Sequence, residues 1–248
     1  MNSSIEWIDS CESTNTLMKE RAEDMPHAHV LAARTQTAGR GQRGNSWEAE
    51  RYMNLTYSQM LRPTALAASR QFELLMLTSL AILDVLGRHL PESEKLSVKW
   101  PNDIYYGDRK LGGILIEGSV SGKDLDYMIL GAGINVNQVM FTSDAPNPVS
   151  MKQIAGHDFE LGSLMEELAD SVEEQMAIFE EEPDTEQLHA IYMQSLWRRE
   201  GLHPYRDAAT GEKFMAEIVD VAPNGLLHLR TADGEDRRYE FKSVTAEL

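Results

Sequence analysis

The chain has 248 residues, a formal net charge of −17 and a single cysteine, Cys11. One cysteine excludes an intrachain disulfide, and the strongly acidic composition disfavours nucleic-acid backbones as partners. No apolar run is long enough to span a bilayer, and the N-terminus lacks the basic and then apolar pattern of a signal peptide. We therefore expect a cytoplasmic protein that binds neither nucleic acid nor membranes.

The first predicted elements are a short strand over residues 5–8 and a helix that follows Ser13, Thr14 and Asn15. These three polar side chains are suited to cap the N-terminus of the helix, and the apolar residues after them recur at helical spacing. Capping is one role for the three residues and ligand binding is another. The local pattern leaves both open.

A glycine-rich loop, residues 37–47, follows the second predicted strand at 30–35. Glycines free the backbone to wrap around a ligand, and the loop amides are able to point at phosphate oxygens. The loop does not match a Walker loop or a dinucleotide-binding fingerprint. It is therefore either a ligand-binding loop or a mobile surface loop. Its distinctive residues are Gly39, Arg40, Gly41, Arg43, Gly44 and Trp47.

A β-hairpin is predicted over residues 99–117, KWPNDIYYGDRKLGGILIE, after a strand at 53–61, a helix at 71–90 and a strand at 96–99. Glycines inside its second strand indicate the close approach of a ligand or of another backbone. Lys110 suits a phosphoryl or acyl-adenylate centre, because its ammonium is a compact cation. The alternative is a plain hairpin with a solvated, charged end.

The remaining elements are a strand at 127–136 that ends in GAGINVN, a loop at 137–149, and two helices at 161–179 and 184–197. After Gly201 the pattern changes to short strands separated by turns, which predicts a small β-barrel. The predicted strands of this barrel are 213–221, 226–230 and 237–244. The histidines show no metal-ligand spacing.

Several of these segments resemble the motifs of biotin protein ligases, and they occur in the family's order. The matching segments are Ser-Thr-Asn at 13–15, the glycine loop, which is similar to G-R-G-R-x-G-R-x-W, the KWPND and K-x-x-GILIE stretch, and GAGINV. Gln42 and Asn45 stand where arginines are usual. The resemblance implies an α+β fold, with a class II synthetase-like mixed β-sheet flanked by helices over residues 1–198. It also implies a small SH3-like β-barrel over residues 199–248.

The resemblance further implies a function. The family activates biotin with ATP and Mg²⁺ to biotinyl-5′-AMP, releases pyrophosphate, and transfers biotin to a lysine of a biotin carboxyl carrier domain. The implied catalytic residues are Lys110, Arg40 and Asp103. The implied biotin-binding residues are Ser13, Thr14, Asn15, Gln36, Gly39, Arg40, Gly41, Gln42, Lys110, Gly113 and Leu115. The implied nucleotide-binding residues are Arg43, Asn45, Trp47, Lys99, Asn102 and Asn135, and no protein metal site is expected.

Two alternatives stay open beside this hypothesis. A lipoyl or octanoyl transferase shares the architecture, although the tryptophan-bearing glycine loop and KWPND argue against it. A non-enzymatic biotin or nucleotide sensor would need the same binding residues. The predicted catalytic domain starts at the first residue, so we expect no winged helix-turn-helix and no repressor function. A homodimer is left open.

Overall fold

The structure is a computed structural model that describes residues 4–64, 66–142 and 147–247, with the main chain only at Arg43, Ser121 and Asp124. Its larger sheet has seven strands in the order β1-β2-β3-β7-β6-β5-β4. All neighbouring strands of this sheet are antiparallel except β1 and β2. The strands are β1 (Ile5–Ile8), β2 (Val30–Ala33), β3 (Leu55–Leu61), β4 (Leu96–Lys99), β5 (Asp103–Tyr106), β6 (Arg109–Ser121) and β7 (Asp124–Ile134).

Helices cover both faces of this sheet, which confirms the predicted mixed sheet flanked by helices. The main hydrophobic core lies against α2 and α4, and a smaller cluster that includes Met18 and Met60 lies under α1. Every residue of β3 is buried. Because successive side chains of a strand point to opposite faces, β3 is buried on both faces of the sheet. The helices are α1 (Thr14–Glu20), α2 (Gln71–His89), α3 (Met151–Ala155), α4 (Leu161–Glu181) and α5 (Thr185–Gln194).

The predicted hairpin is confirmed as β5 and β6, joined by the turn at Gly107 and Asp108. Its two interior glycines pair with β7, Gly112 opposite Ile134 and Gly113 opposite Gly133. A Cβ on Gly112 would lie 2.9 Å from the Gly133 carbonyl oxygen. The backbone of β7 therefore approaches Gly112 closely. This agrees with one of the two predicted reasons for a glycine inside this strand, the close approach of another backbone.

Two helix predictions were incomplete. No sequence pattern indicated α3, because a five-residue helix is too short to show periodicity. A capping box between Ser150 and Gln153 stabilises its start. The predicted end of α5 at residue 197 was wrong. Trp197 N–H donates to the Val98 carbonyl and Val98 N–H donates to the Ser195 carbonyl, both at 2.8 Å, so pairing with β4 replaces the last helical turn.

The C-terminal segment forms a second, antiparallel sheet of five strands in the order β11-β10-β9-β8-β12. Its edge strands β11 and β12 are not paired with each other in the described residues, so the predicted barrel is an open sheet here. The sequence missed β8 and merged the last two strands, which a turn at 241–243 separates. The strands are β8 (His203–Asp207), β9 (Lys213–Val221), β10 (Leu227–Thr231), β11 (Asp236–Tyr239) and β12 (Val244–Ala246).

The second sheet packs against the first through Trp100 of the KWPND stretch. Trp100 Nε1 donates to the Gly225 carbonyl at 3.0 Å, and its ring packs edge-on against Phe241 with the centroids 5.4 Å apart. One hydrophobic cluster contains residues from both sheets. The division into domains 1–198 and 199–248 therefore stays a prediction. In the described part of the chain, no helix is both long and apolar enough to cross a membrane.

Candidate active site

A cavity of about 800 Å³ lies between the start of α1, the glycine loop, the β5–β6 hairpin, the end of β7 and the second sheet. It brings together most of the predicted site residues from distant parts of the sequence. Gly39 is an exception: it lines a smaller second cavity that shares several residues of the glycine loop with the first. The Arg43 side chain lies outside the described residues. The predicted residues in the cavity wall are Ser13, Thr14, Asn15, Gln36, Arg40, Gly41, Gln42, Asn45, Trp47, Lys99, Asn102, Asp103, Lys110, Gly113, Leu115 and Asn135.

One end of the cavity is a buried polar cluster at the start of α1. Ser13 is the N-cap residue, but its side chain makes no capping hydrogen bond within the described structure. Gln36 Oε1 accepts from Thr14 N–H at 2.7 Å and lies 3.2 Å from Thr14 Oγ1. Ser13, Thr14 and Asn15 are each under 5% exposed. These side chains therefore contribute to the cavity wall more than they contribute to capping the helix.

Asn15 is held from three sides. Ser58 Oγ donates to Asn15 Oδ1 at 2.6 Å, and Asn15 Nδ2 donates to Glu117 Oε2 at 3.0 Å and to the Leu115 carbonyl at 3.3 Å. Gly131 leaves room for this amide, because a Cβ there would lie 2.1 Å from Asn15 Oδ1. Burial and fixed partners orient the Asn15 amide without a ligand, so the cluster is preorganised for hydrogen bonding.

Glu117 also forms an ion pair with Arg40, and Arg40 Nη1 donates to Thr16 Oγ1 at 3.2 Å. Arg40 is thus tied to the polar cluster. Neither Glu117 nor Ser58 was among the predicted site residues. Glu117 ends the K-x-x-GILIE motif and so carried a local signal, whereas Ser58 is one of several polar residues in a strand that is buried throughout, and no local pattern singles it out.

The middle of the cavity holds the Lys110 and Asp103 pair, with Lys110 Nζ 2.7 Å from Asp103 Oδ1. Both side chains are partly exposed to the cavity, and Lys110 Nζ lies 5.7 Å from the centre of the Trp47 ring. Lys110 N–H donates to Asn147 and its carbonyl accepts from Val149 N–H, at 2.8 and 2.9 Å. Backbone pairing therefore holds Lys110 while its ammonium points into the cavity.

The Trp47 indole lies across the paired glycines of β6 and β7. A Cβ on Gly133 would lie 2.3 Å from Trp47 Cε2, and a Cβ on Gly113 would lie 3.4 Å from Trp47 Cζ3. Glycine at position 133 is therefore required for this contact. The indole Nε1 is buried and has no hydrogen-bond partner in the described part of the chain. An orphaned buried donor of this kind is costly, and a bound ligand would relieve that cost.

Lys99 lies deeper in the wall, 4.8 Å from the Tyr105 ring centre and 5.1 Å from that of Trp197. Its Nζ donates to Tyr105 Oη at 3.0 Å. Desolvation lowers the pKa of Lys99, and the Asp103 carboxylate opposes that shift. Burial likewise raises the pKa of Tyr105 above its ordinary value. Lys99 is thus a cation stabilised by aromatic faces beside the Lys110 pair.

The two predicted asparagines bind the main chain. Asn102 Nδ2 donates to the Ile114 carbonyl, and Asn135 Nδ2 donates to the Val149 carbonyl at 3.1 Å. Asn135 is 3% exposed. Both side chains therefore shape the cavity wall, and their contact with a nucleotide stays a prediction.

None of the predicted site residues lies in the C-terminal sheet, yet that sheet closes one side of the cavity. Only the packing of the two sheets brings these residues to the site, so no local pattern could have identified them. They are Tyr205, Ile218, Leu227, Lys242, Val244, Thr245 and Ala246. Among the described residues, no group of three or more His, Cys, Asp or Glu side chains is arranged to hold a metal ion.

Comparison with known proteins gives consistent matches. The sequence profile of the Biotin/lipoate A/B protein ligase family matches residues 7–135. The biotin–[acetyl-CoA-carboxylase] ligase of Paracoccus denitrificans is 32% identical over 164 residues, which cover 64% of this chain and 67% of that protein. The bifunctional ligase/repressor BirA of Escherichia coli is 34% identical over 133 residues, 54% of this chain and 40% of that protein. This chain thus matches less than half the length of the bifunctional relative.

The fold also matches solved structures. The biotin protein ligase from Aquifex aeolicus in complex with biotin and ATP superposes with a TM-score of 0.79 at 22% identity, covering 98% of each chain. The biotin protein ligase from Leishmania major in complex with biotinyl-5-AMP superposes with a TM-score of 0.67 at 23% identity, covering 97% of this chain and all of the other. At these identities the comparison supports the shared fold.

Proposed function

Because the chain belongs to the Biotin/lipoate A/B protein ligase family, we propose that it is a biotin protein ligase. The observation that carries this proposal is one continuous cavity with two chemically distinct parts. Its polar end presents preorganised amide and hydroxyl groups, which suit the ureido ring of biotin. Its middle presents Lys110 and Asp103, where the carboxylate end of the bound biotin would meet ATP.

The proposed first step is attack of a biotin carboxylate oxygen on the α-phosphorus of ATP. A bond forms between carboxylate oxygen and phosphorus, and the bond to the pyrophosphate oxygen breaks. Negative charge moves onto pyrophosphate and the phosphoryl oxygens, so a fixed ammonium stabilises the transition state. Lys110 is proposed for this role, and its ion pair with Asp103, which holds the ammonium in position, supports the proposal.

The proposed second step transfers the acyl group to a lysine amine of a biotin carboxyl carrier domain. The amine attacks the acyl carbonyl, AMP leaves with the bonding electrons, and the amine loses one proton. Asp103 is proposed to position that amine or accept the proton, because its carboxylate lies in the cavity wall beside Lys110. The cytoplasm is the compartment we propose for this reaction, which agrees with a chain that carries a single cysteine.

Arg40 is proposed to close the glycine loop over the bound acyl-adenylate, because its ion pair with Glu117 ties the loop to the polar cluster. Trp47 and Lys99 are proposed to face the nucleotide. Mg²⁺ is the proposed counter-ion of ATP. This ion usually binds through one or two carboxylates together with substrate phosphates and water. The few carboxylates in the described cavity wall fit that mode, so the phosphates would supply most of its ligands.

The direct test is incubation with biotin, ATP, Mg²⁺ and a biotin carboxyl carrier domain. We expect biotin-dependent conversion of ATP to AMP and pyrophosphate, and one biotinyl group on the carrier by mass spectrometry. A carrier with its acceptor lysine changed to arginine is the control. Modification by lipoate or octanoate in place of biotin would identify the transferase alternative. Binding without turnover would identify a sensor.

We expect the glycine loop, residues 37–47, to gain protection on ligand binding. Fixing a segment with three glycines costs much conformational entropy, so we expect it to become ordered only with a ligand. The buried Trp47 Nε1 has no hydrogen-bond partner in the described part of the chain. The measurement is amide hydrogen exchange with and without biotinyl-adenylate. The amides of α4 serve as the internal reference. Equal protection of the loop in both states would show that it is ordered without ligand.

We expect Gln42→Arg to slow the release of biotinyl-adenylate about fivefold. Gln42 begins a single 3₁₀ turn, Gln42–Gly44, and lines the cavity. Its amide forms neutral hydrogen bonds, whereas arginine would bring charge-assisted ones worth about 1 kcal/mol more. Stopped-flow release is the measurement, with Gln71→Arg on the exposed start of α2 as the charge-matched control. An unchanged or faster release would mean that the loop uses other groups and would remove Gln42 from the binding residues.

A further inference from the structure

Glu117 lies in β6, two residues beyond Leu115, so both side chains point to the same face of the sheet. Leu115 lines the main cavity, and Glu117 lines the smaller second cavity beside it. The two carboxylate oxygens of Glu117 have different partners. Oε2 accepts from Asn15 Nδ2 at 3.0 Å, and Oε1 pairs with Arg40 Nη2. One carboxylate therefore joins the polar cluster at the start of α1 to the glycine loop.

The contact with Glu117 helps to decide which way round the Asn15 amide lies. Asn15 Nδ2 donates to Glu117 and to the Leu115 carbonyl, and these two bonds use both of its hydrogens. Asn15 Oδ1 accepts from Ser58 Oγ, so its second lone pair is left for a ligand. Loss of the carboxylate would remove one of the two acceptors that fix this orientation.

On its other side, Glu117 holds a residue of a small hairpin within the glycine loop. Gly41 N–H donates to the Asn45 carbonyl at 2.7 Å, and Trp47 N–H donates to the Gly39 carbonyl at 2.9 Å. Arg40 lies between these two bonds and is bridged to the opposite side of the hairpin. Anchoring the Arg40 side chain therefore anchors the paired segment, including the end that carries the Trp47 indole.

The ion pair between Glu117 and Arg40 is partly open to solvent, with the two side chains 32% and 43% exposed. A pair exposed to this extent is screened by water and contributes little by itself. Its contribution rises when the carboxylate is held in one geometry and when less water reaches it. A ligand that bonds to Asn15 would fix that amide and, through it, the carboxylate. Occupation of the polar end should therefore strengthen the contact that holds the loop.

We propose that Glu117 is a positioning residue that links occupation of the polar end of the cavity to closure of the glycine loop. The role rests on the proposed ligase function, and it allows biotin on the polar side to act on the loop that faces the nucleotide. Glu117 acts through Asn15 and Arg40, so its own carboxylate has no need to contact the substrate.

The test compares Glu117→Gln with Glu117→Ala in the full chain. Glutamine keeps an oxygen for Asn15 and removes the charge that holds Arg40, whereas alanine removes both contacts. Without nucleotide, we expect the Kd for biotin to stay within about twofold in Glu117→Gln and to rise about fivefold in Glu117→Ala, as for loss of one hydrogen bond. Stopped-flow release of biotinyl-adenylate should be about fivefold faster in Glu117→Gln, as for loss of one partly exposed ion pair.

Two further comparisons separate this role from a structural one. In an Arg40→Ala background, Glu117→Gln should not change the release rate further, because the carboxylate then has no partner on the loop. Glu6→Gln is the matched control, since Glu6 pairs with Arg21 at a similar exposure outside the described cavity wall. That variant should release biotinyl-adenylate at the wild-type rate. Equal thermal unfolding midpoints show that each variant is folded.

An unchanged release rate in Glu117→Gln would overturn the proposal, as would an equal change in release with and without Arg40. A biotin affinity as weak in Glu117→Gln as in Glu117→Ala would also overturn it, because the carboxylate would then support only the biotin pocket. Failure of the proposed function is separable. If the wild type shows no biotin-dependent pyrophosphate release, the ligase proposal fails. Amide exchange of residues 37–47 with biotin alone then tests the link, and equal protection in wild type and Glu117→Gln would overturn it.

Discussion

Replacing Lys110 with alanine is expected to lower biotin-dependent pyrophosphate release by at least about 100-fold, the typical effect of removing one transition-state charge contact. The main-chain hydrogen bonds of Lys110 to Asn147 and Val149 do not involve its side chain, so the hairpin should stay folded. The loss should therefore appear in catalysis while the unfolding midpoint stays close to that of wild type. Single-turnover pyrophosphate release measures the chemical step.

Two variants control this prediction. Lys95→Ala removes a lysine that lies outside the cavity wall and pairs with Glu92, and it should leave the rate unchanged. Asp103→Asn leaves the Lys110 ammonium in place without its carboxylate partner. If Asp103 positions the acceptor amine or accepts its proton, Asp103→Asn should lower the rate of transfer to the carrier more than the rate of adenylation. Near-normal pyrophosphate release by Lys110→Ala would remove Lys110 from the catalytic residues.

Gly131→Ala is expected to raise the KM for biotin between about 10-fold and 100-fold. The new Cβ would lie 2.1 Å from Asn15 Oδ1 and 2.7 Å from its Cγ. Asn15 cannot move away freely, because Ser58, Glu117 and the Leu115 carbonyl hold it. Displacing it would lose two hydrogen bonds to the ligand, each worth about 1 kcal/mol, and together they correspond to a factor of about 30.

The matched control is Gly87→Ala within α2. A Cβ there would meet its nearest atom at 3.6 Å, which is ordinary contact, and alanine is the better helix former. That variant should keep the biotin KM and be at least as stable as wild type. The KM for ATP in Gly131→Ala should change less than the KM for biotin. A biotin KM within twofold of wild type would show that the polar cluster is not the biotin site.

Local chemistry in the sequence was sufficient for most of the main sheet. The hairpin at 99–117 could be predicted because its strand formers, turn residues and glycines occur in a short span, and α2 because its apolar residues repeat at helical spacing. The resemblance of the same short motifs to biotin protein ligases indicated residues that line the cavity, among them Ser13, Lys99 and Lys110. Their roles in binding and catalysis are what the variants above test.

Contacts between distant segments decided the rest. The network of Arg40, Glu117, Asn15 and Ser58 joins residues from four separate segments. Its members meet only because α1 packs on β3 and β7, and β6 pairs with β7. The end of α5 depends on pairing with β4. Whether the second sheet is open or closes into a barrel depends on which of its strands pair with each other.

Lys242 is the clearest case of this kind. Nothing in its local sequence distinguishes it from a solvated turn lysine, and its place in the cavity follows from the docking of Phe241 on Trp100. The sequence by itself therefore determined the strands of the main sheet and the long helices, because local propensity and spacing encode them, and its resemblance to a known family indicated the motif residues. Only the tertiary structure decided which charges face one another and which sheet closes the site, because those depend on contacts between residues far apart in the chain.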